Sequence, residues 1–349
     1  MAIYIQGIGS VSPQRIDTGT KEIQFLQSDS NRLSCLEPDY KDLVPPMQLR
    51  RMSKVVRMGV ASAKQALKDA GIETPHIITL GTAYGCLADT ENFLEKLLTQ
   101  EETMLTPTAF IQSTHNTVSG QIALLTNCQG HNFTFVHRGH SFETSLQETM
   151  MWLEEHKANE DFSVLTGGID ELTNHSFDIM SRFGTYKHDE EIGNSFTEGT
   201  IAGEGAHLFI AGNVQTANSY AKCLDVMLCA DHDIEKQLKK FLKHNHIAAK
   251  DIDTCLVGLN GDSRYDETIV KNISSLSHAQ LLGFKKWCGE FPTSNSFAFI
   301  LACLILRNQQ IPKELYLNPS GSNDKAPENV LIYNHYKNKY HSFILMQRL

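Results

Sequence analysis

His137, Arg138 and His140 stand together where an apolar run, Asn132 to Val136, gives way to a helical pattern that begins at Ser141. An imidazole at a helix start accepts a proton near neutral pH, and the N–H groups of the first turn attract a carboxylate or other anion. A lone histidine more often packs and hydrogen-bonds, so the same residues also read as a plug in a buried turn. His188, Asp189, Glu190 and Glu191 are metal-ligating types. Their consecutive spacing points them in several directions, and we read them as a solvated loop. The eight cysteines are Cys35, Cys86, Cys128, Cys223, Cys229, Cys255, Cys288 and Cys303, with no C-x-x-C pair and no histidine at zinc-finger spacing. They read as buried thiols in a reducing compartment, with no metal and no cofactor expected.

Composition narrows the classes of partner. The 349 residues are 41% hydrophobic and 20% charged, which suits one large or two modest globular domains. Lys+Arg 31 against Asp+Glu 40 leaves a net charge of −9, which opposes the counterion release that drives nucleic-acid binding. No apolar run reaches the roughly 20 residues a bilayer requires, so a cytoplasmic chain without membrane insertion is expected. Lys236, Lys239, Lys240 and Lys243 lie on an amphipathic pattern with Leu238, Phe241 and Leu242 facing inward, which reads as a solvated face. The denser cluster Arg50, Arg51, Lys54 and Arg57 is a weak signal for an acidic partner.

These groups must be positioned by alternating strands and helices. Ala2 to Gly9 reads as a strand entering a glycine turn, Arg50 to Ala70 as a helix stopped by Gly71, and His76 to Leu80 as a buried strand entering a glycine loop. Asp89 and Thr90 are available to cap the next helix. A helix from about Phe110 to Leu125, the strand Asn132 to Val136, a helix Ser141 to His156 and the strands Phe162 to Thr166 and His207 to Ala211 complete the first half. The second half predicts strands Lys222 to Cys229, Thr254 to Leu259, Val330 to Tyr333 and Ser342 to Gln347. Its helices are Ile234 to Lys243, Asp266 to Ser275 and Phe297 to Asn308. The pattern predicts a mostly parallel, helix-covered sheet in two similar α/β halves, 1–214 and 215–349.

Four stretches are more specific: Gly81-Thr82-Ala83-Tyr84-Gly85, Asn116-Thr117-Val118-Ser119-Gly120-Gln121-Ile122-Ala123, Gly167-Gly168-Ile169-Asp170-Glu171 and Gly203-Glu204-Gly205-Ala206. In this order and spacing they resemble β-ketoacyl synthases of the thiolase-like superfamily. The resemblance implies a layered α-β-α-β-α fold and an acyl-carrier protein as partner. It also implies a nucleophilic cysteine at the strand-to-helix turn. That cysteine falls on His140 here, after Gly139; the nearest cysteine, Cys128, lies well upstream.

The other implied groups are also replaced. The first family histidine falls on Gly258, or on Leu259 or Asn260 if the match slips, and none of these is a base. The second falls on Glu290, while the lysine that precedes it is retained as Lys285. The glycine-rich loop implied before the last strand is Tyr333-Asn334-His335-Tyr336-Lys337-Asn338-Lys339-Tyr340, without a glycine. The resemblance is therefore to a non-catalytic, chain-length-factor type subunit that pairs with an active ketosynthase or with itself, edge to edge by strands near the turn. Phe110, Ile111, Thr114 and Asn116 are the candidate acyl-tunnel or interface residues, with plain core packing as the alternative for the apolar ones. The alternative function is acyl transfer or thioester processing by His140 and Glu290.

Overall fold

The computed structural model describes residues 2–103, 105–158, 161–192, 197–229, 233–318 and 326–349. Ten strands form one sheet: β1 (Ile3–Val11), β2 (Ile77–Gly81), β3 (Asn132–Phe135), β4 (Ser163–Asp170), β5 (Gly205–Gly212), β6 (Ala221–Cys229), β7 (Thr254–Val257), β8 (Gln280–Gly283), β9 (Asn329–Asn334) and β10 (His341–Gln347). Their spatial order is β8-β7-β9-β10-β6-β1-β5-β4-β2-β3. Numbered within its own half, each set of five strands runs third, second, fourth, fifth, first. The two halves share the same parallel and antiparallel pairings as well. They meet where β1 pairs with β6 antiparallel, Ile3 opposite Cys223 and Ile5 opposite Ala221.

The sheet is mixed rather than mostly parallel. Only the β3-β2-β4 and β8-β7-β9 groups are parallel, because the last strand of each half returns antiparallel. In the second half that return is the hairpin from Asn334 to His341, which needs no crossover helix.

The helices of the sheet layers are α1 (Lys54–Ala70), α2 (Leu87–Thr99), α3 (Pro107–Gln112), α4 (Thr117–Thr126), α5 (Ser141–Glu155), α6 (Asn174–Arg182), α7 (Ile234–His244), α8 (Asp266–Asn272), α9 (Lys285–Cys288) and α10 (Asn295–Asn308). Their apolar patterns assign the layers. Every residue of α10 from Asn295 to Leu306 is buried, as a helix enclosed on all sides requires. With α5, it lies between the two halves in a core holding Phe142, Leu146, Phe209, Phe297, Phe299, Ile332 and Ile344. The outer face of the first half is covered by α1 and α4 through Val55, Met58, Val118 and Ile122. The outer face of the second half is covered by α7 and α8 through Leu238, Phe241 and Ile269. Helices and strands thus alternate as α-β-α-β-α, as expected.

Some boundaries differ for local reasons. The helix expected from Phe110 to Leu125 is two helices, because the hydroxyls of Ser113, Thr114 and Thr117 bond the carbonyls of Phe110 and Ile111 and end α3. Asp89 and Thr90 lie inside α2 rather than at its cap, with Thr90 bonded back to the Cys86 carbonyl. The helix predicted from Arg50 starts at Lys54, after Ser53. β8 and α6 had no expectation; α6 is set by a reciprocal cap between Thr173 and Ser176.

Candidate functional site

The turn after β3 is built by a strained residue and a hydroxyl. Arg138 has φ +51°, uncommon for a residue with a side chain. It begins a single 3₁₀ turn, Arg138–His140, that runs into α5. Ser141 Oγ holds the turn, donating to the Arg138 carbonyl and accepting from the His137 amide, both at 2.8 Å. His140 is buried at 7% exposure. Its Nε2 lies 3.0 Å from the His341 carbonyl, which requires a proton on Nε2. Burial lowers its pKa from the usual value, so the ring is neutral at pH 7 and its position favours packing over proton transfer.

A short hairpin covers this turn. Lys337 and Asn338 both have positive φ, at +54° and +49°, and Lys339 N–H donates to the Tyr336 carbonyl at 3.2 Å. That is the geometry of a tight hairpin turn normally taken by glycine or asparagine. The hairpin places Tyr336 and Tyr340 over Gly139, where an added Cβ would lie 2.4 Å from Tyr336 Cβ and 2.8 Å from Tyr340 Cβ. Tyr340 meets the His140 ring edge-on with centroids 5.3 Å apart. The Tyr336 and Tyr84 hydroxyls are 2.9 Å apart, and Arg138 donates to the Tyr340 hydroxyl at 3.1 Å. The absence of glycine therefore thickens the cover with side chains.

Behind the hairpin lies a buried ion pair. Lys285 Nζ donates to both oxygens of Glu290, at 3.0 and 2.9 Å, and to the His335 carbonyl. The side chains are 0% and 3% exposed. Asn260 Nδ2 donates to Glu290 Oε2 at 2.7 Å. Gly258 stands close by: a Cβ there would lie 2.5 Å from Asn334 Oδ1 and 3.2 Å from Lys285 Cε. No side chain able to act as a base fits at that position.

The two polar centres do not combine. Gly258, Asn260, Lys285 and Glu290 form one cluster. His140 bonds the His341 carbonyl instead, and no hydrogen bond joins it to Glu290 among the described residues.

The glycine-bearing motifs are joined by carboxylates. Asp170 is buried and accepts from the amides of Ala83, Tyr84 and Thr293 and the hydroxyls of Thr82 and Thr293, at 2.8–3.2 Å. It fixes the Gly81–Gly85 loop to the segment entering α10. Its pKa is raised to about 6 by burial, with these bonds opposing. Glu204 ties Lys54 and the amides of Cys35 and Leu172.

Phe110, Ile111, Thr114 and Asn116 are elsewhere, on the α3–α4 surface. Phe110 and Ile111 are 58% and 61% exposed, so the core-packing alternative is corrected. Leu124 on α4, Phe133 and Val136 beside β3, and Met151 on α5 are exposed too. β3 is the last strand of the sheet, so its outer backbone edge pairs with no further strand among the described residues. Sequence reasoning gave no role to Tyr84, Tyr336 or Tyr340. Their only signal was aromatic residues in segments otherwise shaped as loops.

Residues 27–172 match the family model for the β-ketoacyl synthase N-terminal domain. Among solved structures, the ishigamide ketosynthase/chain length factor aligns over 100% of this chain and 99% of its own, with 17% identity and a TM-score of 0.78. A β-ketoacyl synthase from Burkholderia phymatum STM815 aligns over 99% of both chains at 15% identity and TM-score 0.76. AntDE:AntF, a type II PKS acyl-carrier protein in complex with its ketosynthase bound to the hexaketide, aligns over 99% of both at 13% identity and TM-score 0.75. Curated proteins give no significant sequence match. No helix among the described residues is long and apolar enough to cross a membrane.

Proposed function

We propose, from the premise that this chain is β-ketoacyl synthase-like in its N-terminal sequence and thiolase-like in fold throughout, that it is a non-catalytic subunit. It pairs with an active ketosynthase in fatty acid, polyketide or aryl polyene type biosynthesis and limits how far the acyl chain extends. The observation that carries this reading is the Lys285–Glu290 ion pair. Two donors, Lys285 and Asn260, make three hydrogen bonds to the Glu290 carboxylate, and its charge opposes the negative charge that builds on an acyl oxygen during transfer. His140 cannot form the thioester on which chain transfer depends. The halves 1–214 and 215–349 are the two copies of a duplicated unit, and the chain works in the cytoplasm with an acyl-carrier protein serving the pair.

The exposed edge of β3 is the pairing surface. Phe110, Ile111, Leu124, Phe133 and Met151 supply its apolar contacts, and the strand adds backbone hydrogen bonds to a partner's strand. Co-expression with a cysteine-bearing ketosynthase from the same gene neighbourhood, followed by native mass spectrometry, tests the reading. A heterodimer supports it; a persistent homodimer with no heterodimer contradicts it. Phe133→Asp places a carboxylate within that surface and is expected to weaken association at least 100-fold, the loss of about 3 kcal/mol typical of a central interface residue. Sedimentation velocity reads the change, and unchanged association would remove β3 from the interface.

A further inference from the structure

Glu143, one turn after His140 on α5, is fully buried, and its bonds are incomplete. Oε1 accepts from Asn295 Nδ2 and from Ser342 Oγ, both at 2.7 Å. Oε2 has no partner, and neither has Oδ1 of the same Asn295 carboxamide. Asn295 and Ser342 are also fully buried, at the first turn of α10 and the start of β10. An ionised carboxylate with one oxygen unbonded in a dry interior is costly, and a carboxamide oxygen without a donor adds to that cost. A single proton on Oε2 would turn one of these two acceptors into a donor.

We infer that Glu143 is held as a neutral carboxylic acid that closes a two-bond ring with the Asn295 carboxamide, clasping the two halves together behind the turn that carries His140. Nδ2–H donates to Oε1, and Oε2–H donates to Oδ1. The charged group that faces this site from the packed elements is Lys285 of α9, which is already occupied by Glu290 and the His335 carbonyl. Ser342 and Asn295, facing from β10 and α10, are neutral. Burial raises the Glu143 pKa against the opposing pull of Ser342, its own backbone amide, Asn295 and Lys285. The clasp fixes the relative placement of α5 and α10, the helices of the central layer, and it holds whether or not the subunit reading does.

The test uses Glu143→Gln, whose carboxamide reproduces both bonds of the neutral acid. With the folded pKa raised, the native state keeps its proton after the unfolded chain has lost it, so wild-type stability falls as pH rises above about 4.3. Glu143→Gln lacks that loss. Its melting temperature is expected to match wild type near pH 4 and to exceed it by a margin that grows toward pH 8. Infrared difference spectra should show a carboxylic-acid carbonyl band in wild type at pH 7 that is absent from Glu143→Gln. A substituted chain less stable than wild type at pH 8, or unable to fold, would overturn the inference. So would the absence of that band at pH 7. A melting temperature that sodium or potassium chloride raises more in wild type than in Glu143→Gln would also overturn it, by assigning the unpaired oxygens to a cation.

Discussion

Lys285→Met is expected to cost about 3–5 kcal/mol of folding stability, the range for removing one partner of a buried ion pair. The substitution keeps the length of the side chain and removes its charge. Glu290, 3% exposed, then retains a carboxylate with Asn260 as its remaining side-chain donor, and the His335 carbonyl loses its lysine donor. Against a total stability of about 5–15 kcal/mol for an ordinary domain, that loss lowers the urea midpoint substantially. Lys285→Met/Glu290→Gln removes both charges and should recover most of the loss, since a neutral replacement of a buried pair is often tolerated. If the single variant unfolds at the wild-type midpoint, the buried pair does not stabilise the fold. If the double variant is worse than the single, the cost comes from lost packing rather than from an unpaired charge.

Gly139→Val should destabilise by about 3 kcal/mol, the upper part of the range for overpacking. The added Cβ alone lands 2.4 Å from Tyr336 Cβ, and both groups are held by backbone, so neither can yield by changing rotamer. The hairpin must lift, which separates Tyr336 from Tyr84 and Tyr340 from His140. His140 should then react with an acylating imidazole reagent several times faster than in wild type. Tyr336→Gly in the same chain removes that Cβ and makes room, and the pair of substitutions should cost less than the sum of the two singles. Additive losses would mean that the hairpin does not sit on the turn.

Much of the scaffold was legible because its signals are local. The β-branched runs around Ile78, Leu165, Phe209 and Leu256 and the periodicity of α1, α5 and α7 placed most strands and helices within a few residues. The antiparallel last strands were not legible, since strand direction depends on how the chain returns and not on the composition of the strand. β8 was missed because four residues ending at Gly283 give no alternation to read. The split between α3 and α4 depends on hydroxyls turning back onto carbonyls, which competes with helix only in three dimensions.

The contacts made at the candidate positions were not legible in the sequence. His140, Gly258, Lys285 and Glu290 were identified by position, but nothing in their spacing announces that Lys285 and Glu290 pair or that His335 supplies a carbonyl to the lysine. The tyrosine cover depends on positive φ at Lys337 and Asn338, residues that a sequence pattern does not assign to such a turn as readily as glycine. The Glu143–Asn295–Ser342 group brings together residues 152 and 199 positions apart from Glu143, a distance no local signal spans.

We propose that this chain keeps a ketosynthase-like scaffold without condensing chemistry. Intact-protein mass spectrometry of the purified chain, incubated with an acyl thioester and a malonyl thioester on carrier protein, tests it most directly. The expected result is no covalent acyl adduct and no elongated product from the chain alone, and elongation once a cysteine-bearing ketosynthase is added. An acyl adduct on the chain, or a longer product formed without that partner, would contradict it.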